Sequence, residues 1–303
     1  MRCIYCMPRD GTVKCSHAEV LRFEQICRFV EVVRSAFGLV KLHVTGGEPL
    51  VRKDIDKLIS MLAGLRPDDF ALTTNGLELP EMAGRLRQAG LLRVNISLDS
   101  LRADTYRRLT RGGDLARVLT GIDAALEAGL YPVKLNVAVI NGINRGEVAD
   151  IARFGMRLGC PVRFLELMPI GPARARFRRW FVPSEAILAE LSKAFELTPA
   201  PVPAGSSTVY YHAAAPDGAR GLVGVISSCS RPFCDSCRRL RLTARGELVG
   251  CLAQGDGRSI RRMLVDGCDA NEADLVNAIR QVLSIKRTGR RFTTARLMSQ
   301  TGG

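Results

Sequence analysis

Short apolar runs alternating with amphipathic helical stretches predict an α/β chain built on a parallel sheet. Three observations carry that prediction. Five runs rich in Val, Leu and Ile recur between residues 40 and 167. Stretches with helical spacing separate them, several stopped by a glycine. Each run closes on polar or small residues, at the strand end where a (β/α) barrel keeps its chemistry.

In order, residues 16–37 form the first helix, with Ile26, Phe29, Val30, Val33 and Phe37 on one face and Gly38 as its stop. Residues 40–44 are a strand that ends abruptly in Thr45-Gly46-Gly47-Glu48-Pro49. Ile55, Leu58, Ile59 and Leu62 mark the second helix, and residues 70–74 the next strand, closed by Asn75-Gly76. Met82, Leu86 and Ala89 mark a helix ended by Gly90, followed by a strand at 94–98 that runs into Asp99-Ser100. A helix around Val118, Ile122 and Leu126 stops at Gly129 and precedes the strand 133–139. A helix around Val148, Ile151 and Met156 leads through Gly159 to the strand 162–167. After Pro169 the pattern changes. Four arginines fall between 174 and 179, residues 184–195 read as a helix, and 199–205, with three prolines, as an irregular connection. Two strand-like runs, 208–211 and 222–226, lead to a cysteine-rich segment and a last helix at 272–285.

A chain of 303 residues, 47% apolar, suits one large domain or a domain with a smaller appendage. No apolar run spans a bilayer and no signal peptide is visible, so a soluble, cytoplasmic protein is expected. Ten cysteines in that setting are no disulfide framework. Cys3 and Cys6 lie at one end, and Cys229, Cys234, Cys237 and Cys251 gather near the other, which favours metal. The formal charge of +14 favours nucleic acid, nucleotides or phosphorylated substrates, with a solvated Arg-rich surface as the plain alternative.

Cys234-x2-Cys237-x13-Cys251 is the strongest chemical signal. Zinc would want a fourth ligand there, for which Cys229 is in reach. Three thiolates with one open position suit a [4Fe–4S] cluster. Arg238, Arg239 and Arg241 follow directly, and guanidinium forks suit phosphate or a carbonyl-bearing base. Gly46 and Gly47 let a ligand approach the backbone. Lys134 stands where the strand 133–139 calls for an apolar residue, either aimed at an anion or at an exposed strand end. Cys3-x2-Cys6 is half of a metal-ligand motif, one thiolate short of what a cluster needs.

These residues together resemble the radical S-adenosylmethionine enzymes and, within them, the family that cyclises GTP to open molybdenum cofactor biosynthesis. The matching motifs are Cys3-x2-Cys6-Met7-Pro8, Thr45-Gly46-Gly47-Glu48-Pro49 with Arg52, Thr73-Thr74-Asn75-Gly76, Asn95-x-Ser97-x-Asp99-Ser100-Leu101, Arg163-Phe164-Leu165-Glu166-Leu167-Met168-Pro169, the Cys234, Cys237 and Cys251 set with Arg239-Leu240-Arg241, and the terminal Gly302-Gly303. The resemblance implies a partial (β/α)₆ TIM-type barrel over 1–195, here without its first strand, and a C-terminal α+β segment over 196–303 that binds a second cluster and the substrate. It implies two [4Fe–4S] clusters, held by Cys3 and Cys6 and by Cys234, Cys237 and Cys251. Tyr5, Gly47, Ser97 and Met168 would line the S-adenosylmethionine site. Thr73, Lys134, Arg239, Leu240 and Arg241 would contact GTP, and Gly302-Gly303 would be a tail reaching the active site. The implied chemistry is reductive cleavage of S-adenosylmethionine, hydrogen abstraction from C3′ of GTP and attack of C3′ on C8. The implied partners are GTP, an electron donor, the cyclic pyranopterin monophosphate synthase that takes the product, and a second copy in a homodimer, with neither nucleic acid nor membrane.

Two departures qualify the match. The family motif is Cys-x3-Cys-x2-Cys, and its first Cys would precede Met1 together with the first barrel strand. The expectation is a sequence that starts inside the motif through a misassigned start or a truncation, with Cys15 and Cys27 as substitutes by composition only and Cys27 fitting the core. His43 also stands where the family has an Arg that touches phosphate. Two rival readings follow: an inactive homologue that binds a nucleotide or a partner, and a radical enzyme acting on a peptide.

Overall fold

The computed structural model describes residues 1–11, 16–38, 41–202, 205–255, 257–265, 271–286, 292 and 297. The sheet is the one the alternation calls for. Helix α1 (Phe23–Phe37) and strand β1 (Lys41–Val44) are followed by α2 (Ile55–Gly64), β2 (Asp69–Thr74), α3 (Leu79–Gln88) and β3 (Arg93–Ser97). Then come α4 (Ala103–Thr110), α5 (Leu115–Glu127), β4 (Lys134–Val139), α6 (Val148–Arg157) and β5 (Val162–Glu166). Strands β1 to β5 pair in that order, all parallel, the geometry that helical crossovers impose.

The later chain extends the same sheet. Helices α7 (Ala173–Trp180) and α8 (Ser184–Ser192) precede β6 (Glu196–Pro199), β7 (Val209–Ala214) and β8 (Arg220–Ile226). Strand β8 lies parallel beside β5, and β7 and β6 continue antiparallel, giving the order β1-β2-β3-β4-β5-β8-β7-β6. Beyond it a small antiparallel sheet of β9 (Arg241–Leu242), β10 (Glu247–Val249) and β11 (Gly257–Ser259) packs near α9 (Glu272–Ile285). Asn271 and Asp274 cap α9 reciprocally, each side chain accepting from the other's backbone N–H at 3.0 Å. No helix among the described residues is long and apolar enough to cross a membrane.

Several elements differ from the sequence expectation, each for a tertiary reason. The first helix starts at Phe23, not at residue 16, because Ser16 bonds the Glu19 carboxylate locally and Leu21, fully buried, donates its N–H to Ala244 O at 2.8 Å. Helix α4 escaped notice because only Tyr106, Leu109 and Thr110 of it are buried. Helix α7 buries just Ala173 and Trp180, so its arginines hide the helical period. The proline-rich connection begins as strand β6, with Pro199 opposite Tyr211 on a sheet edge, where a missing N–H is tolerated.

One face of the parallel strands carries the core. Phe70, Leu72, Val94, Ile96, Leu135, Val137 and Phe164 are essentially sealed from solvent. Helices α3 and α5 approach closely because Gly121 faces the Gly76 carbonyl, where a Cβ would sit 2.4 Å from the oxygen. Gly76 itself turns with φ 85°, which only glycine adopts cheaply. That turn fixes the end of β2, and with it the residues before it.

Candidate active site

Because side chains alternate along a strand, the opposite face collects every second residue. It is rich in polar and charged side chains, with Ala71, Ala138 and Leu165 as its apolar members. Register sets Thr73 beside Asn95 and Asn95 beside Lys134 in one row, and Ser97 beside Asn136 and Asn136 beside Arg163 in the next. Arg93 grips Asp69 with two bonds of 2.6 and 2.7 Å, so that pair is self-compensated. Arg163 Nε donates to Asn136 Oδ1 at 2.9 Å. Lys134 Nζ stands 5.8 Å over the Tyr210 ring. Among the described residues neither Lys134 nor Arg163 has a carboxylate within ion-pair distance. Burial, then Arg163 and Arg93, push Lys134 down to about 8, and burial likewise lowers Arg163. A sheet face that crowds cations at this cost is suited to a polyanionic ligand.

His43, on β1, reaches across to this row. Its Nε2 lies 2.6 Å from Thr73 Oγ1 and 3.2 Å from Asn95 Nδ2, and Asn95 Nδ2 also donates to Thr73 Oγ1 at 3.1 Å. The residue as a whole is exposed, while its Nε2 lies against Thr73 and Asn95. That lost hydration, with Arg93 and Arg163 nearby, lowers His43 to about 4.

The Gly46-Gly47 loop is clasped to the end of β2 by Glu48. Its carboxylate accepts from Thr74 Oγ1 at 2.8 Å, Asn75 N at 2.7 Å and Leu50 N at 3.1 Å, while burial raises its pKa. Arg52 plays a different part, donating to Leu21 O at 2.6 Å and stacking 4.6 Å over Phe23. Gly47, Ser97 and Met168 thus lie at the carboxyl ends of β1, β3 and β5.

The N-terminal loop is held at the same end. Arg2 N and Ile4 N donate to Thr110 O and Leu109 O, and Arg111 Nη1 donates to Met7 O at 2.8 Å. Tyr5 OH donates to Asp99 Oδ2 at 2.7 Å, and Ala138 N donates to Asp99 Oδ1 at 2.8 Å. Burial raises Asp99 to about 6 against the pull of both bonds. Ile4 and Tyr5 pack on an apolar group of Leu109, Ile140, Leu167, Ala173 and Trp180. Cys6 Sγ donates to the Cys3 carbonyl O at 3.7 Å. The side-chain bond between the two thiols raises Cys3 and lowers Cys6, with Arg111 also favouring the Cys6 thiolate. This donor chemistry fits an iron–sulfur group, and the thiols present number two. Among the described residues no three His, Cys, Asp or Glu side chains gather as a metal cage.

The C-terminal cysteines are presented differently. Cys234 is exposed at the start of a short turn, and Cys237 and Cys251 both lie near Arg241. Burial opposes ionisation of Cys237, yet the Arg239 backbone N–H, Lys286 and the Arg239 charge outweigh it and lower its pKa. Lys286 Nζ also donates to Arg239 O at 2.6 Å. Arg239 bonds Ser207 Oγ and stacks 5.1 Å over Phe233, while Leu240 packs on the core between the two arginines. The Cys229 thiol donates to Leu167 O at 3.5 Å, and burial pushes it up to about 12. Cys27 is core, while Cys15, Gly302 and Gly303 lie outside the described residues.

Arg163, Asn95, Asn136, Arg93 and Asp69 were missed as site residues. The signal was present as polar side chains at alternate positions, Arg93-x-Asn95-x-Ser97 and Lys134-x-Asn136, inside otherwise apolar strands. Attention to the strand ends alone passes over it.

A polar-faced parallel sheet with thiols and a Gly-Gly loop at its carboxyl end defines a class. Residues 1–155 match the family model described as Radical SAM superfamily, and residues 160–292 that described as Molybdenum Cofactor Synthesis C. A protein of Pelotomaculum thermopropionicum named GTP 3′,8-cyclase is 42% identical over 100% of this chain and 94% of its own. Proteins of the same name from Heliobacterium modesticaldum and Geobacter sulfurreducens are 46% and 43% identical over 89% and 94% of this chain and 83% and 86% of theirs. The chain belongs to the GTP 3′,8-cyclase family of the radical S-adenosylmethionine superfamily. Enzymes of that superfamily use a [4Fe–4S] cluster and S-adenosylmethionine.

Proposed function

We propose that this protein cyclises GTP to (8S)-3′,8-cyclo-7,8-dihydroguanosine 5′-triphosphate, the first step of molybdenum cofactor biosynthesis. The observation that carries the reading is the pair Lys134 and Arg163. Both are cationic, partly desolvated and without a carboxylate partner among the described residues, on the polar face that ends at the Gly-Gly loop. A triphosphate satisfies them, and Thr73 lies in the row that holds Lys134.

Within this reading, Cys3 and Cys6 would supply two of the thiolates of one cluster, and Tyr5, Gly47, Ser97 and Met168 would bind S-adenosylmethionine. Bound together, cluster and S-adenosylmethionine supply the one-electron chemistry that removes a ribose hydrogen. Asp99 fixes Tyr5, and Arg111 fixes the loop that carries both thiols. The segment 196–303 serves as a substrate-binding region beside the barrel of 1–195. There Cys234, Cys237 and Cys251 hold a second cluster, while Arg239, Leu240 and Arg241 contact GTP. The product passes to a cyclic pyranopterin monophosphate synthase, and the protein works in the cytoplasm as a homodimer with a separate electron donor.

Anaerobic reconstitution with iron and sulfide, followed by S-adenosylmethionine, reductant and GTP, tests this. Conversion of GTP to an isomer of equal mass with a new C3′–C8 bond is expected. Cleavage of S-adenosylmethionine with GTP unchanged sinks it in favour of a peptide substrate, and GTP binding without cleavage favours an inactive homologue.

A further inference from the structure

The triangle of His43, Thr73 and Asn95 determines where one proton sits. Arg93 Nη1 donates to Asn95 Oδ1 at 3.4 Å, which turns the Asn95 amide N–H groups toward the other two residues. Asn95 Nδ2 is 3.1 Å from Thr73 Oγ1 and 3.2 Å from His43 Nε2, so both atoms face a donor. A proton on Nε2 would point at that amide N–H. With Nε2 as the bare nitrogen every contact of the triangle is attractive, and the short 2.6 Å contact is then the Thr73 hydroxyl donating to it. The Thr73 oxygen has then spent its proton on His43 and one lone pair on Asn95. What remains for a ligand is a lone pair.

We propose that His43 sets the polarity of Thr73, holding its hydroxyl as an acceptor so that Thr73 selects a sugar hydroxyl of the nucleotide and not a phosphate oxygen. The inference rests on the reading of this face as a GTP site. Phosphate oxygens only accept, and an acceptor facing them is repulsive. The cations suited to phosphate, Lys134 and Arg163, stand on the next strands of the same face, and Arg239 and Arg241, on the C-terminal segment, suit the carbonyl-bearing base. The sugar lies between base and phosphate, and it brings hydroxyl donors. An arginine at position 43 has donors only, so it would release the Thr73 hydroxyl to donate.

Calorimetric titration with GTP, 2′-deoxyGTP, 3′-deoxyGTP and ITP tests this in the unaltered chain and in His43→Gln, His43→Arg and Thr73→Val. The unaltered chain should bind GTP about tenfold tighter than one of the two deoxy analogues, and ITP as tightly as GTP. Thr73→Val and His43→Arg should bring that ratio to about one, while His43→Gln, whose carbonyl accepts, retains it. A purely structural role for His43 would weaken all four nucleotides together in both His43 variants and leave the ratio alone. Thermal melts establish that each variant is folded. An unchanged ratio in folded His43→Arg overturns the proposal, as does discrimination by the unaltered chain against ITP and against neither deoxy analogue. GTP binding without any discrimination overturns this proposal alone, whereas no GTP binding by the unaltered chain overturns the site reading with it.

Discussion

Phe164 and Arg163 are neighbours in β5 and belong to different problems. Phe164 lies on the core face and is sealed from solvent, while Arg163 lies on the opposite, polar face and bonds Asn136. The same division runs through Val94 and Asn95, and through Leu135 and Lys134. Stability and ligand binding are interleaved with a period of two, so one backbone register positions both. Glu166, two residues on from Phe164, is the exception. It lies on the apolar side, yet its carboxylate accepts from Ser184 N at 2.7 Å, Cys229 N at 2.8 Å, Ser230 N at 2.9 Å and the Ser230 hydroxyl. It ties the strand to the loop that leads into Cys234.

Substitutions on the two faces should therefore separate cleanly. Phe164→Ala should cost about 3–5 kcal/mol of unfolding free energy, read in urea titrations, because a sealed aromatic leaves a cavity. A cost below about 1 kcal/mol would break the assignment of faces. Glu166→Gln should cost about 2–3 kcal/mol, since both carboxylate oxygens face donors and an amide NH₂ must meet one of them. It should also lower the iron bound through the C-terminal cysteines, measured in a chain with Cys3 and Cys6 both changed to Ser. Arg163→Ala should weaken GTP binding about thirtyfold, ~2 kcal/mol, in calorimetry while the melting temperature stays nearly constant. A large fall in melting temperature would show that the polar face also holds the fold together.

The smallest effect is on pH. His43 titrates at about 4 in the folded protein, below its value of about 6.5 in an unfolded chain, so the unfolded state binds the extra proton between them. Its neutral form contributes stability that is fully present above pH 6.5 and is lost as pH falls through 4. With part of the ring in solvent, the contribution is about 1 kcal/mol after discounting. His43→Gln should flatten the unfolding free energy over that window, and an unaltered slope would place the titration elsewhere.

Much of this was legible from residue order. The strand runs, the glycine stops and the last helix fell where periodicity put them, because each needs only local chemistry and one apolar face. Lys134 stood out as a charge within an apolar strand. Helices α4 and α7 did not, since each buries only two or three residues and offers too weak a period to read. The hydrogen bond of the Cys229 thiol to Leu167 O had no signal in residue order.

The sequence by itself determined the α/β order, the pairing of thiols at each end and the residue types that suit a nucleotide triphosphate. Only the tertiary structure decided that β8 joins β5 as a parallel neighbour, that Glu166 anchors the cysteine-bearing loop, and that His43 meets Thr73 and Asn95. The reason is physical. Alternation and helical period are set by neighbours a few residues apart, whereas register between strands, and the direction of a shared proton, depend on groups brought together from residues 43, 73 and 95.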